Sequence, residues 1–147
     1  MSKILLETIN LKKTYQHFSG KITLFNNLNL KIRQGDLVAL VGPSGSGKSS
    51  FLHLLALLDD PTKGDIKIND VLTKKFTDEK KDETRRKNIS IIFQDNNLLS
   101  DFNAIENVMM PLIIKGKSLK EAKKKAQNIL KAVKILDRSH HFPNELS

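Results

Sequence analysis

The sequence predicts an α/β fold, and three observations carry that expectation. Short runs in the first third alternate apolar with polar residues. One run, residues 37–41, has no polar side chain. It leads through a glycine-rich turn into a segment whose apolar residues recur at helical spacing.

Taken in order, residues 4–9 and 28–32 read as strands. Leu28, Leu30 and Ile32 alternate with asparagine and lysine, the pattern of an antiparallel strand with one buried and one wet face. Gly35 and Asp36 turn the chain into 37–41, whose wholly apolar composition suits a parallel core strand covered on both faces. Residues 49–58 predict a helix with Leu52, Leu55 and Ala56 on one side, ended by Pro61 and Gly64. Residues 64–68 predict a strand, with Asn69 and Asp70 as its turn. Residues 89–93 are a second candidate core strand. From Asn96 onward the chain predicts helices joined at Pro111 and Gly116.

Composition narrows the class. The 147 residues include no cysteine, which excludes a disulfide scaffold, a thiolate metal site and a cysteine nucleophile, and fits a reducing compartment. The longest apolar stretches fall far short of a membrane span, and the first ten residues lack the pattern of a signal peptide. The expectation is a soluble cytoplasmic chain. Most of the +9 net charge lies in residues 115–134, where eight lysines face a single acid, Glu121. Leu119, Ala122, Ala126, Ile129, Leu130, Val133 and Leu136 recur there at three- and four-residue steps, so the lysines form the wet face of an amphipathic helix. Arginines and aromatics, which nucleic-acid binding would interleave, are missing from the segment, so no nucleic-acid partner is expected. Attraction to an anionic membrane leaflet is the sharper alternative for these lysines.

The chemistry is concentrated in Gly42-Pro43-Ser44-Gly45-Ser46-Gly47-Lys48-Ser49. This is the P-loop pattern, placed as the motif requires between an apolar run and a helix. Glycines let the backbone reach φ > 0 and approach a phosphate with no Cβ in the way. Successive N–H groups and the helix N-terminus aim positive partial charge at one spot. Lys48 adds a full charge for the β- and γ-phosphates, and the Ser49 hydroxyl suits Mg²⁺.

With that motif in place, the chain resembles the ATP-binding subunit of an ABC transporter from about Ile4 to Ser147. Tyr15, in Lys13-Thr14-Tyr15-Gln16, stands where the family stacks an aromatic on adenine. Gln94 matches the family's glutamine loop, which touches Mg²⁺ and the attacking water and relays nucleotide state to the membrane subunit. The resemblance therefore implies ATP and Mg²⁺ as cofactors. It implies a binding set of Tyr15, Gly42, Pro43, Ser44, Gly45, Ser46, Gly47, Lys48, Ser49, Ser50 and Gln94, with Ser49 and Gln94 on the metal. The stretches 57–64 and 97–112, above all the pattern Asp101-Phe102-x-Ala104-x-Glu106-Asn107-Val108-x-Met110-Pro111-Leu112, are similar to the lipoprotein-releasing ABC system. Macrolide-export and cell-division ABC subunits share the Glu-Asn-Val centre and less of its flanks. Ser100, Asn103 and Ala56 depart from the residues common there, and none removes a group the chemistry needs.

The resemblance implies a P-loop NTPase core with an antiparallel β subdomain over residues 1–95 and the start of a helical subdomain over 96–147. Permease subunits in the inner membrane, and a second copy completing an ATP sandwich, are the implied partners. The chain would be cytoplasmic and peripheral on that membrane, which it would meet only through the permease. Phe142-Pro143-Asn144-Glu145-Leu146-Ser147 resembles the run-in to the family signature Leu-Ser-Gly-Gly-Gln, so the domain is expected to be incomplete at its C-terminus. The Walker B aspartate, the catalytic glutamate and the switch histidine have no counterpart here. Asp59, Asp60, Asp95, His53, His140 and His141 do not stand where these are needed, so no catalytic residue is assigned. The expectation is ATP binding with little hydrolysis, together with exposed apolar surface. A non-catalytic nucleotide-binding remnant or split-gene product is the competing expectation.

Overall fold

A computed structural model describes residues 2–18, 20–94 and 97–146. The chain divides into two compact units, residues 1–90 and 91–147.

The first unit is built on a four-stranded antiparallel sheet of order β2-β1-β3-β4. Its strands are β1 (Ile4–His17), β2 (Gly20–Arg33), β3 (Lys63–Ile68) and β4 (Val71–Leu72). The two short strands expected near the N-terminus are segments of a longer hairpin. Polar positions such as Asn10 and Asn27 break the alternation locally without ending the strands. Both adopt positive φ, 48° and 57°, where the β1–β2 register shifts. The Asn29 side chain accepts the Asn10 N–H at 2.8 Å, so the bulged backbone keeps a partner. Beyond this, Leu28, Leu30 and Ile32 alternate inward with exposed Asn29 and Lys31, as their sequence requires.

Helix α1 (Lys48–Leu55) lies on this sheet and supplies much of the core. Phe51 and Leu54 pack with Leu11, Leu57, Ile66 and Ile68, and the Phe25 ring meets Phe51 edge-on at 5.6 Å. Phe51 and Leu54 are the buried residues of α1, with Leu55 partly buried beside them; of the three residues expected on one side, Ala56 is also buried and Leu52 is exposed. α1 also stops before Pro61 and Gly64. Leu57 takes φ 57°, and the Leu57 and Leu58 N–H groups bond the Leu54 and His53 carbonyls at 3.0 and 2.9 Å, which closes the helix. Helix α2 (Asp78–Asn88) follows, capped by Thr77.

Neither apolar run joins a ladder among the described residues. Residues 37–41 and 89–93 carry no strand assignment, and Leu37 and Ile92 are fully exposed. Ile89 instead caps the end of α2 and packs on the first core. Apolar composition expresses a preference to be covered, whereas a parallel strand exists only through hydrogen bonds to its neighbours.

The second unit pairs α3 (Ala104–Ile114) with α4 (Leu119–Ala132) around Ile105, Ala126 and Leu130, with Val108 and Met109 alongside. The expected break at Pro111 does not occur; α3 runs through it to Ile114, with Lys115 as its C-cap and Gly116 next. Gly116 has φ 82°, and its N–H and that of Lys117 bond the Ile113 and Leu112 carbonyls. Proline removes one helical bond, but a left-handed residue is what reverses the chain. Along α4 only Ala122, Ala126 and Leu130 are buried, and its lysines are exposed. Glu121, the lone acid of the segment, closes a capping box with Ser118. The Ser118 backbone and hydroxyl hydrogen bonds hold its carboxyl below its ordinary value. Among the described residues, no helix is long and apolar enough to cross a membrane.

Candidate functional site

The loop at residues 42–49 is shaped by its glycines. Gly45 and Gly47 sit at φ 77° and 87°, in the left-handed region that side chains rarely enter. Gly47 is the N-cap of α1, and a Cβ there would stand 3.0 Å from the Leu24 side chain of β2. A Cβ on Gly42 would stand 3.1 Å from the Ser46 hydroxyl. The loop is thus a backbone cradle with its first helical turn, Lys48-Ser49-Ser50, pressed against the sheet by Phe51. The Phe51 N–H reaches the Gly47 carbonyl at 2.8 Å and starts the helical ladder, which leaves the preceding N–H groups outside it. Lys48 Nζ donates to the Gly42 and Pro43 carbonyls at 2.9 and 2.7 Å, holding its charge over the loop. Pro43, Ser44, Ser46 and Ser49 are exposed and Ser50 is half-buried. Residues 42–50 contain no acid, so the donor set is suited to an anion, and the exposed Ser49 hydroxyl in the first turn is an oxygen suited to a phosphate-bound cation.

Tyr15 lies near the end of β1 and remains partly exposed. Its hydroxyl donates to Asp59 Oδ2 at 2.8 Å, and Lys13 Nζ stands 4.7 Å from its ring centroid. Lys13 donates in turn to Asp59 Oδ1 at 2.7 Å and to the Asp60 carbonyl at 2.8 Å. Burial pushes the Asp59 carboxyl up, but the hydrogen bonds from Lys13, Tyr15 and the Asp60 N–H outweigh it, so Asp59 titrates below its ordinary value. Sequence reasoning weighed Asp59 only as a catalytic acid and missed this role. A signal was present, since Lys13 and Tyr15 are two apart and so share one face of a strand. The partner 44 residues away was not readable.

Gln94 is exposed at the end of the 91–93 run in the second unit. Asp95 and Ser147 lie outside the described residues. Among the described residues, no cluster of three or more His, Asp or Glu side chains could hold a metal. The stretch that marks the subfamily proves to be architectural. Asn103 and Glu106 form a capping box at the start of α3. Asn107 staples the preceding loop, accepting the Leu99 N–H at 2.8 Å and donating to the Phe102 carbonyl at 2.8 Å.

A sequence model of the family described as ABC transporter matches residues 25–147. The chain belongs to the ABC transporter family. It is 40% identical over 147 residues to the lipoprotein-releasing system ATP-binding protein LolD of Buchnera aphidicola, covering all of this chain and 64% of that protein. LolD of Pseudoalteromonas translucida is 41% identical, again over the whole of this chain and 63% of its own length. The ABC chain thus spans less than two thirds of the curated relatives it matches. Its fold is that of an ATP-binding cassette. The MJ0796 cassette, in a dimeric post-hydrolysis state bound to ADP and Pi, superposes with a TM-score of 0.90 at 37% identity, over 97% of this chain and 63% of that one.

Proposed function

We propose that this ABC chain is the ATP-binding subunit of a transporter that powers the release of lipoproteins from the bacterial inner membrane. The observation that carries the ATP-binding reading is the loop itself, acid-free, with a left-handed glycine capping α1 and the Lys48 ammonium held above it. The N–H groups around Gly45, Ser46 and Gly47 take the phosphates, with Gly42, Pro43 and Ser44 forming the loop's entry. Lys48 exchanges its two carbonyl acceptors for β- and γ-phosphate oxygens, and Ser50 lies in the same first turn. Tyr15 offers its ring to the base. Ser49 is the group of the loop proposed for Mg²⁺, which when bound neutralises charge on the phosphates.

The LolD relatives support the lipoprotein-release reading, and the dimeric cassette supports a second copy as partner beside permease subunits. In this reading residues 1–95 form the β subdomain with the phosphate loop and 96–147 the helical subdomain. The chain sits on the cytoplasmic side of the inner membrane and meets the bilayer only through the permease. In this reading no described residue is assigned as a general base, and these residues alone bind ATP and hydrolyse it poorly.

Equilibrium dialysis with radiolabelled ATP tests the proposal. Lys48→Ala is expected to weaken binding about tenfold or more, the size of losing a charge-assisted contact of roughly 1.5–3 kcal/mol. Retention of ATP by Lys48→Ala at the parent affinity would remove the loop from the site.

A further inference from the structure

The partners of Tyr15 occupy the ring in a particular way. Its hydroxyl is tied to Asp59 Oδ2, and the Lys13 ammonium covers one π face. Lys13 is only 7% exposed and is locked by Asp59 Oδ1 and the Asp60 carbonyl, so the cation cannot swing away from the ring. Tyr15 as a residue is nonetheless 40% exposed. Lys13 takes one face of the ring, so a base stacking on Tyr15 would use the other. The Asp60 carboxylate is engaged elsewhere, taken by Lys81 at 2.8 and 2.9 Å, so Asp59 alone serves Tyr15. Asp59 lies four residues beyond the end of α1, the helix that begins in the phosphate loop. One short path, Lys13 and Tyr15 to Asp59 and back along α1, therefore connects the aromatic to the loop.

We propose that Asp59 and Lys13 are positioning residues that preset the Tyr15 ring, leaving one face free for the base of a nucleotide whose phosphates sit on the Gly42–Ser49 loop. This inference rests on the ATP-binding reading above and adds to it the groups that give the base its platform. The gain is preorganisation: a tyrosine held at its hydroxyl and on one face loses little rotamer freedom when a base stacks on it. A cation behind the ring also draws π density away from the open face, which favours stacking with an electron-rich purine.

The chain has one tyrosine and no tryptophan, so its tyrosine emission reports on this ring alone. Without nucleotide, Asp59→Asn is expected to raise that emission, because a carboxylate bonded to a tyrosine hydroxyl quenches it. Calorimetric titration with ATP and with inorganic tripolyphosphate, which lacks a base, then separates the two parts of the site. The parent chain should prefer ATP. Asp59→Asn and Lys13→Met should each reduce that preference about fivefold or more while tripolyphosphate affinity stays unchanged. Tyr15→Phe, which removes only the hydroxyl bond, should show the same selective loss and keeps the test available if Asp59→Asn does not fold. Parallel weakening of both ligands, or an unchanged preference with the hydroxyl bond demonstrably broken, would reduce the network to a strand anchor and overturn the proposal. A parent chain that binds neither ligand, with Lys48→Ala indistinguishable from it, would instead defeat the ATP-binding reading and this proposal with it.

Discussion

Gly64 shows how a single residue can set the geometry of a whole unit. It opens β3 at φ 85°, and a Cβ there would fall 2.4 Å from the Asn10 carbonyl oxygen of β1. Two penalties coincide, a left-handed backbone and a clash with main chain that cannot yield cheaply. Gly64→Ala is therefore expected to destabilise the chain by about 2–4 kcal/mol, read as a lowered midpoint in urea. An unchanged midpoint would mean that β1 and β3 can part locally without cost. From sequence this glycine reads as a helix stop, because the backbone it accommodates lies more than fifty residues earlier. Gly47 was legible for the opposite reason, since its neighbours in the motif define its role. Its contact with Leu24 was not.

Among the elements, α2 is the one held by charge. Only Thr84 is buried, and a helix polar on nearly every face relies on its caps and its i,i+3 and i,i+4 pairs. Glu83 pairs with Lys80 at 2.8 Å and with Lys87, and those hydrogen bonds pull its carboxyl from an ordinary 4.5 down to about 2. A depressed carboxylate stabilises the fold above its unfolded value and loses that contribution as the pH falls toward the folded one. The contribution of Glu83 should thus fade between about pH 4.5 and 2. Carboxyl NMR titration should place the Glu83 midpoint near the lower end, and Lys80→Met with Lys87→Met should return it toward 4.5. A midpoint near 4.5 in the parent chain would show that these exposed pairs do not persist in solution. Helix ends were less legible than helix faces. α1, α3 and α4 all finish in a left-handed residue, at Leu57, Gly116 and Lys134, and only Gly116 announces itself by type. Leu57 is tolerated because its side chain is buried in the first core, a gain invisible to local propensity.

For the molecule as a whole, the consequence of greatest reach is exposed apolar surface. Leu37, Val41 and Ile92 stand open to solvent in runs whose composition suits covered strands. These 147 residues should enhance ANS fluorescence and associate as concentration rises; a monodisperse chain with no enhancement would contradict that. Features that depend on neighbours along the chain are legible in the residues alone. They include the phosphate loop, the wet lysine face of α4 with Ala122, Ala126 and Leu130 opposite, and the inward alternation at Leu28, Leu30 and Ile32: backbone freedom, charge and periodicity act over a few residues. Leu119, Ile129 and Val133, expected on the same apolar face, are exposed. Long-range contacts set which side of α1 is buried, that 37–41 joins no ladder among the described residues, and that Asp59 holds Tyr15. Those outcomes depend on contacts between segments distant in sequence. Packing, strand pairing and charge pairing reward such contacts only once the chain has brought the segments together.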